Sequence, residues 1–159
     1  MSTINLSAGA QSSFASLMTT ELNSLASGNA IIGSTSVANG TNLDLEIEFS
    51  FTTGGSITPT GSPFVAVYMY PLNGDTSTYG DGRFGSAAAG PPPANYFAGY
   101  CGLPAASGTQ TGTFGVPFLG TRIFLPRGTF KPVFYQVTGV TFSSSGNILY
   151  YRTTNRTVA

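Results

Sequence analysis

Nine consecutive residues, 43–51, alternate strictly between apolar and polar side chains. Every second position carries Leu, Ile or Phe, and the positions between them carry Asp44, Glu46, Glu48 and Ser50. A repeat of two places the two sets on opposite faces of a β-strand, whereas an α-helix would scatter both around its axis. The pattern therefore predicts a strand with one face buried in a core and the other face carrying carboxylates.

The composition indicates an all-β chain. Charged residues make up only 8% of the 159 residues, against a usual share of about 25%. Gly, Ser and Thr take their place, and aromatic residues reach 13%. The length predicts one domain. A surface with so few charges gives little protection against self-association and suits a protein that works inside an assembly.

Apolar runs separated by turn residues predict about seven or eight strands. They lie near 30–37, 42–52, 64–70, 95–101, 118–125, 129–142 and 147–154, with a hairpin turn at 143–146. The 64–70 run is apolar at every position, which predicts a central strand covered on both faces. The expected fold is an antiparallel two-sheet β-sandwich, most often a jelly roll, with an immunoglobulin-like sandwich as the alternative.

The N-terminal segment follows a different pattern. Apolar residues recur there at spacings of three and four, at Phe14, Leu17, Met18, Leu22 and Leu25. That spacing predicts a short amphipathic helix that Gly28 can end. We therefore expect an N-terminal arm over 1–29 and a sandwich domain over 30–159. The helix must lie against the protein's own sheet, or else against a neighbouring subunit or a larger scaffold.

A long connection, 71–115, joins the central strand to the C-terminal third. Connections of this length are more often functional than mere spacers. Five aromatic residues at its start and within it are expected in the core or in an interface, with a role as platforms for sugar rings as the alternative: Tyr70, Tyr79, Tyr96, Phe97 and Tyr100. Its Asn-Gly-Asp and Asp-Gly sequences at 73–75 and 81–82 are typical of turns, with a calcium site as the weaker alternative.

Opposite charges are separated along the chain. All six acids precede residue 82 and all six bases follow it. Pairing of the two halves within one fold is the expected consequence, and pairing across a subunit interface is the alternative. We predict that Glu46 and Glu48 face solvent or basic side chains such as Arg122 and Arg152, on the same or an adjacent subunit. The bases are too scattered to predict a nucleic-acid groove.

No pattern in the chain indicates catalysis. Histidine is absent, and the single cysteine, Cys101, has no histidine to activate it and is expected to be a buried thiol. Regularly spaced carboxylates on a strand are usually solvated rather than catalytic. We expect no catalytic residue, no cofactor and no metal, and therefore not an enzyme. The longest apolar run is too short to cross a membrane, and no signal peptide is evident.

Two stretches resemble small virion proteins of tailed bacteriophages. One comprises 65–75, 79–82 and 91–95 (VAVYMYPLNGD, YGDG, PPPAN), and the other comprises 125–131 and 145–152 (LPRGTFK, SGNILYYR). Together they lie within residues 42–155. The resemblance implies a jelly-roll protein that acts as capsid cement or decoration on the outer surface of a phage capsid.

The resemblance also implies partners. The protein would assemble with itself as a homodimer or homotrimer and would contact the major capsid protein, after synthesis in the host cytoplasm. The expected interface residues come from the arm and from the long connection: Phe14, Leu17, Met18, Leu22, Tyr79, Tyr96 and Tyr100. The alternative function is a carbohydrate- or receptor-binding module of a tail or tail fibre, which predicts that one of these tyrosines is exposed in a groove.

Overall fold

The computed structural model describes residues 6–39, 46–74, 77–115, 123–124 and 128–158, and their side chains except at 6–11, 124 and 155–158. Within these ranges the chain forms two antiparallel sheets and no α-helix. Sheet 1 contains β1 (Leu6–Gln11), β2 (Ala15–Met18), β5 (Glu46–Ile57), β9 (Gly108–Thr113), β10 (Ile123–Phe124) and β12 (Ile148–Val158). Sheet 2 contains β3 (Asn29–Ile32), β4 (Val37–Asn39), β6 (Phe64–Pro71), β7 (Ala88–Ala89), β8 (Phe97–Gly102) and β11 (Gly128–Val137). The predicted all-β, two-sheet sandwich is confirmed.

The strand pairs are nested along the chain. In sheet 1, β12 lies between β5 and the interrupted strand β1/β2, and β5 also pairs with β9 and β10. In sheet 2, β11 lies between β6 and the interrupted strand β3/β4, and β6 also pairs with β8. The two-residue strand β7 pairs with β3 and stands outside this pattern. When each interrupted strand, including β9/β10, counts once, the other strands pair first with last, second with next to last, and so on inward to β6 and β8.

The core lies between the two sheets. The alternation that predicts β5 places Ile47, Phe49 and Phe51 in this core, each no more than 1% exposed. Their counterparts from sheet 2 include Phe134, whose ring centroid lies 5.0 Å from that of Phe51. The predicted apolar face is confirmed over 46–51, and residues 43–45 lie outside the described part of the chain.

A second apolar cluster covers the outer face of sheet 2. It contains Ala30, Ala66, Tyr68, Tyr70, Phe84 and Val133. The long connection supplies Phe84 to this cluster, and Tyr79 and Tyr96 pack against its edge. The connection thus covers the second face of β6, as the apolar character of 64–70 predicts. It also carries three strands (β7, β8 and β9), where the sequence predicts only the one near 95–101.

The predicted N-terminal helix is wrong. Residues 15–18 are an extended strand paired with β12, and a single 3₁₀ turn follows at Thr20–Leu22. The register of β12 shifts between Leu149 and Tyr150, and two consecutive residues, Leu17 and Met18, become buried. A strand with this irregularity, followed by a turn, spaces its buried apolar residues as a helix would. Strand pairing with β12 has overridden the local pattern, so the predicted arm supplies an edge of sheet 1.

The predicted hairpin at 143–146 is also wrong. The strands on either side of it, β11 and β12, lie in different sheets, so residues 138–147 cross from one sheet to the other. Buried polar side chains hold this crossing. Gln136 donates to the carbonyls of Leu25 (2.7 Å) and Val140 (3.1 Å) and accepts from Thr138. A buried amide requires such partners, and the hydrogen bonds fix the path of the chain.

Asn147 performs the same role at the other end of the crossing. It is 0% exposed, accepts from the backbone N–H of Gly54 (3.1 Å), and donates to Asn23 Oδ1 and to the Ser143 carbonyl. Gly54 approaches so closely that an added Cβ would lie 1.9 Å from the Ser145 carbonyl oxygen. Three separate segments are joined at this one buried amide.

Candidate binding surface

An open apolar groove lies on the outer face of sheet 2, along β6 and β8. It encloses about 560 Å³ and is lined by Ser62, Pro63, Phe64, Ala66, Tyr68, Phe97, Tyr100, Gly102 and Leu103. Phe97 and Tyr100 are 39% and 44% exposed, and they are two of the three large apolar or aromatic side chains that stand out as exposed among the described residues. Two of these three exposed rings therefore lie in this one groove.

The strand register explains why a groove forms here. Tyr100 lies opposite Ala66, whose small side chain leaves space between larger neighbours. A register shift at 67–68 then brings Phe97 opposite Tyr68, and their rings meet edge to face at 5.5 Å. Such a bulge redirects side chains locally. The groove therefore has a small residue as its floor and aromatic rings as its walls.

The chemistry of the groove is apolar. None of the residues that line it is charged, and its side-chain polar atoms are the hydroxyls of Ser62, Tyr68 and Tyr100. Burial, with a smaller contribution from neighbouring Tyr135, raises the pKa of Tyr68, so this hydroxyl stays neutral at physiological pH. These groups suit the burial of apolar or aromatic side chains from a partner.

A second, smaller cavity is polar. It encloses about 260 Å³ and is lined by Ile32, Ser77, Thr78, Tyr79, Gly82, Arg83, Gly85 and Lys131. The Lys131 ammonium lies 4.9 Å from the centroid of the Tyr79 ring, and the Arg83 guanidinium lies 4.8 Å from the centroid of Phe84. Both cations are thus placed over aromatic faces, an arrangement that stabilises the connection where it crosses sheet 2.

The predicted interface residues of the N-terminal segment differ in their exposure. Leu17, Met18 and Leu22 are 3%, 1% and 0% exposed in the protein's own core, so they are unavailable to a partner and their predicted interface role is wrong. Phe14 is 41% exposed and stacks on the Arg152 guanidinium at 4.5 Å. It therefore remains at the surface of sheet 1.

The three predicted tyrosines also have different positions. Tyr100 is exposed in the groove. Tyr79 is half-buried beneath Lys131, and Tyr96 is half-buried with its ring centroid 4.6 Å from that of Tyr70. Phe97, one of the aromatic residues predicted as interface or sugar platforms, lies in the groove, whereas the groove residues Phe64 and Tyr68 were missed. The apolar run 64–70 predicts that both faces are covered and gives no signal for an open groove.

The carboxylate face of β5 is partly as predicted. Glu48 lies opposite Arg152 in the register of β5 and β12, and Arg152 Nε donates to Glu48 Oε2 at 2.5 Å. This confirms pairing of the two halves of the chain within one fold. Glu46 and Glu48 are buried, at 7% and 6% exposure, so of the two predicted alternatives Glu48 shows the basic partner and neither side chain faces solvent. Arg122 lies outside the described residues.

The remaining candidate sites show local structural roles. Cys101 is buried as predicted, and its burial raises the pKa of the thiol. The Asp81 carboxylate accepts from the backbone N–H of Arg83 (3.1 Å), and Asn73 donates to the Gly80 carbonyl (2.8 Å), as turn residues do. Asp75 lies outside the described residues, and within them no group of three metal-ligating side chains is found.

Comparison with known proteins finds no matching family model, no matching curated protein and no matching solved structure. Among the described residues, no helix has the length and apolar character needed to span a membrane. The function of the chain is therefore inferred from its strand order and from the chemistry of its surface.

Proposed function

We propose that the chain is a structural virion protein of a tailed bacteriophage, which binds the outer surface of the capsid as a cement or decoration protein. The observation that carries this proposal is the uncharged aromatic groove on the outer face of a rigid sandwich. An exposed apolar patch rimmed by polar residues is typical of a protein–protein contact. The partner is the major capsid protein.

The strand order supports a jelly-roll scaffold for this role. A jelly roll is an eight-stranded, two-sheet arrangement of two Greek keys, and it recurs in viral capsid and lectin domains. Nested pairing of first with last strand, continued inward, is the pairing expected when one long antiparallel hairpin rolls into two sheets. Fold alone does not define function, so this point supports the proposal without carrying it.

The groove supplies the binding free energy. Full burial of an aromatic side chain contributes about 1.5–3 kcal/mol, and such anchors dominate most interfaces. Phe97 and Tyr100 are the two anchors that a partner can bury here. The absence of charge from the lining means that docking leaves no ionised group of the groove desolvated.

A second candidate function is a carbohydrate- or receptor-binding module of a phage tail or tail fibre. The exposed rings of Phe97 and Tyr100 favour it, since aromatic faces can stack on sugar rings. Against it, sugar hydroxyls require several hydrogen-bonding groups, and the lining offers only three side-chain hydroxyls. The observations therefore favour a protein partner.

Co-sedimentation with purified phage heads tests the proposal. The wild-type protein is expected to pellet with heads. Combined Phe97→Ser and Tyr100→Ser substitution is expected to weaken binding at least about tenfold, because loss of about 1.4 kcal/mol already has that effect. Phe14→Ser is the matched control, because Phe14 is equally exposed but lies on the other sheet. It should bind as the wild type does.

Two results would contradict the proposal. Wild-type protein that fails to bind heads refutes the capsid location. Unchanged binding by the doubly substituted protein refutes the role of the groove. A glycan array on which the wild type binds one sugar, with that binding lost in Tyr100→Ala, would instead support the tail module.

A further inference from the structure

The edge of sheet 1 formed by β9 has an unpaired side. Strand β9 pairs with β5, and no other described strand pairs with residues 108–113, whereas Gly115, just beyond them, exchanges two backbone hydrogen bonds with Tyr100 of β8. The three threonines at 109, 111 and 113 are exposed. A sheet edge of this kind presents a row of backbone donors and acceptors that another strand can bind.

Hydrogen bonds on the inner side of β9 show which groups face outward. The N–H of Gln110 donates to Thr53 Oγ1 (2.9 Å), and the N–H of Phe114 donates to the Phe49 carbonyl (3.0 Å). The backbone groups of even-numbered residues therefore face β5. Because direction alternates along a strand, the N–H and C=O groups of Thr109, Thr111 and Thr113 face away from it.

This edge lacks the usual protection against pairing. Natural edge strands commonly carry Lys, Pro or inward-pointing charges that prevent association. Residues 105–115 contain no proline, and no charged residue occurs between Arg83 and Arg122. A charge at the centre of the edge would meet its own copy across a two-fold axis and repel it. The uncharged edge of β9 therefore meets this requirement for self-pairing.

We propose that β9 pairs antiparallel with β9 of a second copy, about a two-fold axis at Thr111, so that sheet 1 continues across a homodimer. In this register Thr111 lies opposite Thr111 of the second copy, and Thr109 lies opposite Thr113. All three outward-facing residues then form hydrogen-bonded pairs, and threonines meet threonines on the exposed face. A single self-complementary patch of this kind is what a two-fold dimer requires.

The dimer does not depend on the virion assignment. It uses the outer side of β9, whereas the groove lies on sheet 2 between β6 and β8. The two surfaces use different strands and adjoin where Tyr100 bonds Gly115. Because the pairing is measured on isolated protein, its failure and the failure of capsid binding are separate results.

Sedimentation velocity of the full chain over a range of concentrations tests the pairing. The wild type is expected to dimerise, and Thr111→Lys is expected to raise the dimer dissociation constant at least tenfold, because two ammonium groups would meet at the axis. Thr58→Lys is the matched control, since Thr58 is exposed but lies beyond the end of β5. It should dimerise as the wild type does.

Cysteine cross-linking tests the register even if a lysine variant fails to fold. Opposed hydrogen-bonded residues have Cα atoms about 5.5 Å apart, within the range of about 4.4–6.8 Å that a disulfide spans. Thr111→Cys should therefore form a covalent dimer under mild oxidation. Two copies of Thr109→Cys would lie roughly 14 Å apart and should not cross-link with each other, although Thr109→Cys mixed with Thr113→Cys should do so.

Each outcome of these experiments either supports or overturns the proposed dimer. A wild type that remains monomeric at every concentration overturns the proposal. A dimer that Thr111→Lys leaves unchanged, or a Thr111→Cys protein that cross-links no faster than Thr109→Cys, shows that the copies meet elsewhere and also overturns it. Loss of the dimer in Thr111→Lys together with cross-linking specific to position 111 establishes it.

Discussion

The contact between Gly112 and Cys101 offers the sharpest test of the packing between the two sheets. Gly112 belongs to β9 in sheet 1, and Cys101 belongs to β8 in sheet 2. A Cβ added at residue 112 would lie 2.2 Å from the Cys101 Sγ, but 3.7 Å from the Cys101 Cβ. The glycine thus leaves the space that the thiol sulfur occupies.

Each single substitution should destabilise the protein. Gly112→Ala forces the methyl group against the buried sulfur, and overpacking of this kind costs about 1–3 kcal/mol. Cys101→Ala removes the sulfur and leaves a small void, which costs about 1 kcal/mol in lost burial and cavity formation. The double variant should not add these losses, because the methyl group introduced at position 112 then fills the space that the sulfur has left.

We therefore expect the double variant to be at least as stable as either single variant. The remaining Cβ–Cβ separation of 3.7 Å is an ordinary contact, and alanine in a strand is favoured over glycine by about 0.5–1 kcal/mol. The coupling free energy should be stabilising by about 1.5 kcal/mol or more, well above the roughly 0.5 kcal/mol within which independent sites add.

Urea denaturation of the four proteins measures this coupling. The free energy of unfolding is compared only where the slope with urea is unchanged, since an altered slope indicates an altered denatured state. Thiol labelling provides an independent check. Burial raises the pKa of Cys101, so the folded wild type should react slowly at pH 7 and Gly112→Ala should react faster. Additive losses in the double variant would refute this placement of β8 against β9.

Three further predictions concern polar contacts. Arg152→Ala removes the guanidinium that faces buried Glu48 and should lower the free energy of unfolding by about 2–4 kcal/mol. Urea denaturation measures this loss. Phe14→Ala should lower the same free energy by about 1 kcal/mol or less, because only a cation–π contact is lost. Asn147→Ala should lower the free energy of unfolding by about 2–4 kcal/mol, because it removes hydrogen bonds that join three segments. A fall in the melting temperature of less than about 4 °C would contradict this role. Burial alone would raise the pKa of Glu21, but hydrogen bonds from Ser34 and Thr19 outweigh it and lower the pKa below 4.5. The stability that Glu21 adds should therefore be fully present above that pH and be lost as the pH falls through the folded value. Wild type and Glu21→Gln should accordingly differ at pH 7 by about 1 kcal/mol or less and converge as the pH falls below the folded value.

Local patterns predicted the interior strands well. The alternation of 46–51 depends only on the period of an extended chain, and that period is a property of the backbone. The unbroken apolar run at 64–70 predicted a strand covered on both faces, and the covering segment is the long connection itself. In both cases the physical signal lies within the strand.

Patterns that depend on a distant partner failed. Spacing alone could not distinguish a helix at 14–25 from a strand and a turn, because the outcome depends on the register of β12 more than 120 residues away. The turn residues at 143–146 marked a reversal but not whether the next strand would join the same sheet. Hydrogen bonds from Gln136 and Asn147 to remote segments decide that question.

The candidate binding surface likewise combines features that the local sequence predicts with features that only tertiary contacts determine. The sequence by itself determined a sandwich with few charges and a long uncharged stretch, because composition and period act locally. Only the tertiary structure placed Ala66 opposite Tyr100 and buried Glu48 beside Arg152. Only it left one side of β9 unpaired among the described strands. Periodicity predicts which face of a strand is apolar, whereas tertiary contacts across the whole fold determine which segment covers that face.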